Sequence, residues 1–279
     1  MGQAERMPST DHLLAPAKLT RSLRVVGVRR DGYHLLEAEM ATIDLADELE
    51  IEDGGDGLEI VDEVAWVRGD GQAADRRGLV PGAVPLGQEN LVVRALSIVG
   101  RRARVRLLKR VPAGAGLGGG SSDAAAVLRW AGALDPAVAA RLGADVPFCV
   151  VGGRALVTGI GEVVEPLAFE AFTAVLLTPA LAVSTLEVYR AWDELGGPAG
   201  ENGNDLEPAA LAVEPRLVWW GDLVAAVAGE RPRLAGSGGT WYLERDPNLA
   251  SHLAGELERA VRAERAQGVV VVAASTAHL

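Results

Sequence analysis

Residues Val111–Gly132 read VPAGAGLGGGSSDAAAVLRWAG, with glycines at 114, 116, 118, 119 and 120 directly ahead of two serines and an alanine-rich run. The preceding ARVRLLKRVP has the character of a strand, and the residues from about Ser122 to Ala133 have that of a helix. The glycines therefore sit in a strand-to-helix turn. Glycine reaches positive φ without steric cost and lets main chain come close to a ligand. Successive N–H groups in such a loop form a nest for an anion, and the free N–H groups of the following helix reinforce it. Ser121 and Ser122 suit a helix N-cap, and their hydroxyls are candidates to meet a phosphate or a magnesium ion. A simple connection does not need five glycines.

Two familiar phosphate motifs are excluded or weak. No lysine follows the glycines, so this is no G-x-x-x-x-G-K-[ST] loop. A G-x-G-x-x-G is formally present at Gly114, Gly116 and Gly119, with Asp135 near the position of a ribose-binding acid. The strands upstream, however, look antiparallel, which argues against a dinucleotide-binding βαβ unit.

The rest of the chain bounds the answer. Its 279 residues are 49% hydrophobic, enough for one large or two modest domains with a sizeable core. A net charge of −11 argues against a nucleic-acid or anionic-membrane surface. It leaves room for a small anionic ligand, because local dipoles can oppose the global field. The lone Cys149, in the apolar run VPFCVV, excludes an intramolecular disulfide and reads as a small buried hydrophobe. Neither a secretory signal nor a confident membrane span is visible: the uncharged stretch from Ala171 to Leu186 is broken by Pro179. The expectation is a soluble, cytoplasmic protein.

Along the chain, residues 1–14 read as a tail. APAKLTRSLRVVGVR and LLEAEMATIDL then read as strands on either side of a DGYH turn. Between Glu48 and Gln88 we expect antiparallel hairpins with an exposed loop near Gly69 to Arg77. QENLVVRALSIVG has helical spacing, as does the short segment from Pro136 to Leu142. FCVVGGRALVTGIGEVVEPL reads as strands. Near Glu162 to Glu170 the pattern changes. FTAVLLTP follows as a buried strand, STLEVYRAWDEL as a helix, DPNLASHLAGELERAVRAERAQ as a long amphipathic helix and GVVVVAAS as a closing strand. The class is α+β, divided into residues 15–165 and 166–279.

PAGAGLGGGSSDAAAVL resembles the phosphate loop of the GHMP kinases. The blocks APAKL, RRDGYHLLE, LGADVPFCV, STLEVYRAWD, NDLEP and GSGGTWYL resemble family sequence in the same order, from about Ala15 to Leu243. The resemblance implies a two-domain fold, with an N-terminal ATP-binding domain like ribosomal protein S5 domain 2 and a C-terminal ferredoxin-like domain. It also implies an ATP- and Mg2+-dependent small-molecule kinase, active as a monomer or homodimer. The double-serine loop and the GYH block are similar to those of the branch acting on a cytidine-diphospho sugar alcohol, 4-diphosphocytidyl-2-C-methyl-D-erythritol. That branch makes the 2-phosphate in non-mevalonate isoprenoid precursor synthesis. A kinase for homoserine or a sugar, and a non-catalytic sensor that binds nucleotide and ligand without turnover, are the alternatives.

The same resemblance assigns roles residue by residue. Asp145 would accept the proton of the attacking hydroxyl. Lys18 would orient that hydroxyl and the transferring phosphoryl group. Pro112, Ala113, Gly114, Ala115, Gly116, Leu117, Gly118, Gly119, Gly120, Ser121 and Ser122 would wrap the phosphates, with Asn90 and Lys109 near the adenine. Tyr33, His34, Tyr189 and Thr185 would contact the acceptor, with the aromatic and imidazole groups suited to a pyrimidine. Thr20 stands where the family usually has asparagine, so substrate contacts there should be weaker or rearranged. Arg21 stands where the family is apolar, the Trp130–Leu142 segment is shorter, and the C-terminal glycine turn reads SGGT.

Overall fold

A long bent ribbon organises the molecule. In the computed structural model, which describes residues 10–68 and 84–277, β1 (Thr10–Val28) pairs antiparallel with β2 (His34–Asp53) along nearly its whole length. β1 therefore begins at Thr10, and residues 10–14, expected as tail, are strand. The register shifts at Pro16/Lys18, Thr20/Ser22 and Val25/Gly27. Each such irregularity re-aims the side chains that follow.

β2 carries two neighbours end to end. Its Leu36–Ala41 stretch pairs with β6 (Arg154–Gly159), and Glu48–Asp53 pairs with β5 (Ala103–Lys109). β7 (Val163–Pro166) extends the sheet beyond β6, antiparallel to it. At the other end β3 (Gly57–Asp62) pairs with β5 in parallel. The hairpin expected there is thus replaced by a strand that skips its neighbour in sequence. The expected loop near Gly69 to Arg77 lies outside the described residues.

Four helices accompany this sheet: α1 (Leu91–Ile98), α2 (Gly119–Trp130), α3 (Pro136–Ala140) and α4 (Val146–Val151). α2 is buried on most sides, from Ser122 to Leu128. Its run of alanines fits because small side chains let the helix approach its neighbours closely. α4 corrects the reading of FCVV as strand. A four-residue apolar run does not distinguish a buried strand from a buried helix, and Pro147 favours the first turn of a helix. Asp135, the formal ribose acid, instead caps α3 by accepting from the Ala137 N–H at 2.8 Å.

A second sheet has the order β4-β11-β8-β10-β9, all antiparallel, from β4 (Val67–Arg68), β8 (Thr173–Pro179), β9 (Arg233–Leu234), β10 (Trp241–Arg245) and β11 (Gln267–Ala274). The helices of this half are α5 (Thr185–Glu194), α6 (Glu207–Val213), α7 (Arg216–Ala228) and α8 (Pro247–Ala263). α8 buries Ala250, Leu253, Leu257 and Val261, the i, i+3, i+4 stripe expected of an amphipathic helix. None of the described helices is long and apolar enough to cross a membrane.

Backbone hydrogen bonds tie the two halves. Leu23 N–H donates to Gly203 carbonyl at 2.8 Å, and Asp205 N–H returns to Leu23 carbonyl at 2.9 Å. Arg21 adds a side-chain tie: its guanidinium donates to Glu39 at 2.7 Å and to Glu244 at 2.8 and 3.0 Å, and lies 4.8 Å over the Phe172 ring. That explains how a charged residue fits where the family is apolar. Cys149 is buried, and burial together with the Asp145 charge pushes its thiol up to about 12.

Candidate active site

The glycine loop is held open by main chain. Gly114, Gly116 and Gly118 have φ of 68°, 77° and 69°, the left-handed region that glycine enters freely. A Cβ on Gly116 would lie 2.5 Å from the Ala235 carbonyl oxygen, and one on Gly239 would lie 2.9 Å from Ala115 Cα. The loop is thus interlocked with the second glycine turn, Ala235–Trp241, backbone against backbone. Thr240, the departure in that turn, fastens the seam by donating to the Ala115 carbonyl at 2.8 Å.

α2 starts earlier than its serines suggest. Gly118 is the N-cap in left-handed conformation, and no side chain caps the helix. The N–H groups of the first turn are consequently left without side-chain partners. Of residues 112–122, all but Leu117 and Ser122 line a cleft of about 1130 Å³. Leu117 is in the core, and its carbonyl accepts from Lys18 N–H at 2.9 Å. The Ser122 hydroxyl is buried and donates to the Pro16 carbonyl, so it faces away from any ligand. The expected N-cap role of the serines is therefore corrected: α2 has already made its first turn when the chain reaches them.

Lys18 and Asp145 meet on this cleft, Nζ to Oδ2 3.3 Å apart. The β1 bulge at Pro16/Lys18 aims the lysine, whose stem crosses Gly118 so closely that a Cβ there would be 2.8 Å from Cγ. The lysine is buried, while the Asp145 side chain remains 31% exposed toward the cleft. Asp145 occupies the N-cap position of α4 but makes no capping hydrogen bond, which leaves its carboxylate available. Thr20 is buried and accepts from Lys18 Nζ at 2.9 Å. It does not line the cleft, so its expected substrate contact is corrected to a contact with the lysine.

Lys109 and Asn90 also reach the cleft. Asn90 caps α1, accepting from Val92 N–H at 2.8 Å and donating to the Pro85 carbonyl at 2.7 Å. Lys109 lies between two buried carboxylates, Asp47 and Asp123, the latter at 2.8 Å. Burial works to lower its pKa, but Asp123 and Asp47 outweigh that and hold it up to about 12. Burial pushes Asp123 up to about 7, opposed by Lys109 and assisted by Asp47. Asp123 Oδ1 is buried without a hydrogen-bond partner.

At the other end of the cleft, the turn before β2 faces α5. The His34 ring stacks on Tyr189 with centroids 4.7 Å apart, and meets Trp192 edge-on at 5.4 Å. Tyr33 is 58% exposed at the rim beside Arg29. Thr185 shares a 2.8 Å hydroxyl–hydroxyl hydrogen bond with Ser237 of the second glycine turn. Burial, with the charge of Asp145 adding to it, raises the Tyr189 hydroxyl above its ordinary pKa.

Comparison with known proteins agrees with this geometry. Residues 90–153 match the GHMP kinases N terminal domain. The chain is 36% identical to 4-diphosphocytidyl-2-C-methyl-D-erythritol kinase of Rhodopseudomonas palustris, over 82% of this chain and 86% of that protein. It is 33% identical to the kinase of the same name from Roseobacter denitrificans, over 91% of each. A crystal structure of 4-(cytidine 5'-diphospho)-2C-methyl-D-erythritol kinase is similar with a TM-score of 0.71 at 34% identity, covering 95% of this chain and 99% of that one. The chain belongs to the 4-diphosphocytidyl-2-C-methyl-D-erythritol kinase family.

Within this GHMP kinase, Asp123, Trp192, Asp193 and Ser237 lie in blocks that resemble the family without having been given a role, and Asp47 lies outside those blocks. Trp192 and Asp193 follow Tyr189 by three and four residues, so helical spacing alone places them on its face. Asp47 carried no such signal, because only the fold brings it to Lys109.

Proposed function

We propose that this protein transfers the γ-phosphate of ATP to a hydroxyl of 4-diphosphocytidyl-2-C-methyl-D-erythritol, giving the 2-phosphate. The observation that carries the reading is the Lys18–Asp145 pair, which meets the cleft beside an uncapped helix N-terminus. Phosphoryl transfer asks for an oriented nucleophile, charge neutralisation and a fixed phosphate chain. Asp145 is the acceptor for the proton of the attacking hydroxyl. Lys18, steadied by Thr20, puts a positive charge beside the transferring oxygens. The N–H groups of Gly119, Gly120 and Ser121 at the start of α2 receive the phosphates, where the helix dipole favours negative charge.

The cleft suits a nucleotide because the glycine loop lines it and the start of α2, which no side chain caps, opens onto it. Among the described residues no group of three or more His, Cys, Asp and Glu side chains forms a metal site. A magnesium ion would then be held chiefly by the nucleotide phosphates, with Asp145 and the unpartnered Asp123 oxygen as the available protein oxygens. When bound, it supplies neutralisation of phosphate charge. At the far end, Tyr33, His34 and Tyr189 form the place for the cytidine base. The division into residues 15–165 and 166–279 gives each half one sheet, save β4, which joins the sheet of the second half.

The test is direct. Purified protein with ATP and magnesium is offered the cytidine-diphospho substrate, homoserine and galactose in parallel. Phosphorylation of the cytidine compound alone is expected. Turnover of homoserine or galactose instead would overturn the acceptor, and ATP binding without turnover of any of them would overturn the catalytic reading.

A further inference from the structure

Arg21 does not line the cleft, yet it directly follows Thr20 and Lys18 along β1. Its place in the strand is irregular. Thr20 pairs with Met40 and Ser22 with Glu39, so Arg21 is the extra residue of a bulge, with no partner opposite it in β2. Another register shift separates Pro16 from Lys18. Residues 18–20 are thus a short stretch of ladder between two irregularities. Strand alternation puts Lys18 and Thr20 on one side, where Nζ donates to the hydroxyl at 2.9 Å, and sends Leu19 into the core. So short a stretch takes its aim from whatever anchors its ends.

The downstream anchor is the Arg21 guanidinium, all of whose N–H donors are used. Nε and one terminal nitrogen grip Glu244 at 2.8 and 3.0 Å, the two terminal nitrogens grip Glu170 at 3.2 and 3.1 Å, and one of them also reaches Glu39 at 2.7 Å. These carboxylates belong to β10, to the segment joining β7 to β8, and to β2. Arg154 closes a ring on two of them, 2.9 Å from Glu39 and 3.1 Å from Glu170. Main chain is held as well, since the Tyr242 hydroxyl donates to the Arg21 carbonyl at 3.1 Å. The Arg21 side chain is only 12% exposed, unlike the solvated surface pairs that contribute little.

We propose that Arg21 is a positioning residue for phosphoryl transfer: its anchorage to both halves of the chain fixes the bulge that aims Thr20, and through Thr20 the Lys18 ammonium, at the reacting groups. The proposal rests on the reading of Lys18 above. A planar fork holds two bidentate carboxylates and a third acceptor at once, which a compact ammonium does not. Displacing a catalytic group by about 1 Å lowers a rate by up to about 100-fold with no substrate contact removed.

The experiment compares Arg21→Met and Arg154→Met in the full chain. Arg154→Met removes the other cation of the ring but leaves the bulge residue and its grip on Glu244. We expect Arg21→Met to lower kcat about 10- to 100-fold with KM for ATP nearly unchanged, and Arg154→Met to keep the kcat of the wild type. Thr20→Val added to Arg21→Met should cost nothing further, because the hydroxyl helps only when the strand aims it. Near-normal kcat in Arg21→Met, an equal fall in Arg154→Met, or losses at the two positions that multiply would each overturn the proposal. Arg21→Lys, which keeps the charge and loses the fork, goes through the same kinetics and should fall between the wild type and Arg21→Met. Full activity with that lysine overturns the proposal even if Arg21→Met does not fold.

A second readout needs no turnover. Lys18 and Lys109 are the only lysines in the sequence, so a 1H–13C correlation of the lysine ε-methylenes reports on these two residues alone. The Lys18 signal should move in Arg21→Met and stay in place in Arg154→Met, with Lys109 as the internal control. An unmoved Lys18 signal in Arg21→Met overturns the proposal even where the kinase assay succeeds. A displaced one supports it even where the acceptor assignment fails.

Discussion

Lys18 and Lys109 are both buried, and both press against the same glycine loop. Lys18 Cγ is 2.8 Å from where a Cβ on Gly118 would sit, and Lys109 Nζ is 3.2 Å from the same point on Gly119. Their company differs. Lys109 is enclosed by two buried carboxylates, and Asp47 is further tied to the N–H groups of Arg110 and Val111 at 2.6 and 2.8 Å. Lys18 has a neutral hydroxyl and one half-open carboxylate. An ammonium whose charge is already matched holds structure together. One matched by a single carboxylate that is open to solvent, as Asp145 is, can shift its interaction to a reacting group. If Lys18 acts as proposed, burial and proximity to a phosphate loop do not distinguish it from Lys109; the exposure of its counter-charge does.

Substitutions can break that contrast. The largest effect is expected at Asp145→Ala, which should lower kcat about 10²- to 10⁴-fold while ATP affinity stays within a few-fold. Steady-state kinetics with nucleotide titration checks both, and near-normal kcat would remove the base assignment. Lys109→Met comes next, and should act on the fold instead. It leaves buried carboxylates unpaired, a loss of roughly 3–5 kcal/mol of stability, read by urea unfolding. Lys18→Met should show the opposite profile, with activity lost and the unfolding midpoint shifted little. Equal destabilisation by the two would erase the distinction.

A pH series sharpens the same comparison. Asp123 holds its proton more firmly in the folded chain, where its pKa is raised to about 7, than at its ordinary value of 3.8. Between those values the folded state binds more protons than the unfolded state, so this group's contribution to stability falls as pH rises through the window. Asp123→Asn has no proton to lose and should remove that slope. A stability difference between variant and wild type that stays constant from about pH 4 to about pH 7 would show that Lys109 keeps Asp123 ionised throughout. The smallest effect belongs to Thr20→Val, which deprives Lys18 of one hydrogen-bond partner. It should cost about 1 kcal/mol, appearing as a few-fold loss in kcat/KM with homogeneous folding.

The sequence exposed its local features well and its long-range ones poorly. The glycine loop, the amphipathic α8 and the β8 strand are legible because composition and periodicity determine them within one segment. The parallel pairing of β3 with β5 is not, since nothing in Gly57–Asp62 names its partner. FCVV misled because a short apolar run carries no period. Of the candidate site, Lys18 and Asp145 lie in short blocks legible in the sequence, and the fold brings them together. The ring of charge around Lys109 depends on Asp47, 62 residues away, which only the folded sheet brings near.

The seam between the two glycine turns has a consequence for anyone wishing to inhibit this enzyme. At 116 and 118, which line the cleft, a side chain has nowhere to go, so the surface offered there is main chain and does not change its chemistry when the gene mutates. A compound anchored on that wall leaves the chain few single substitutions by which to acquire resistance. One anchored on the rim at Tyr33, whose side chain stands in solvent, leaves many.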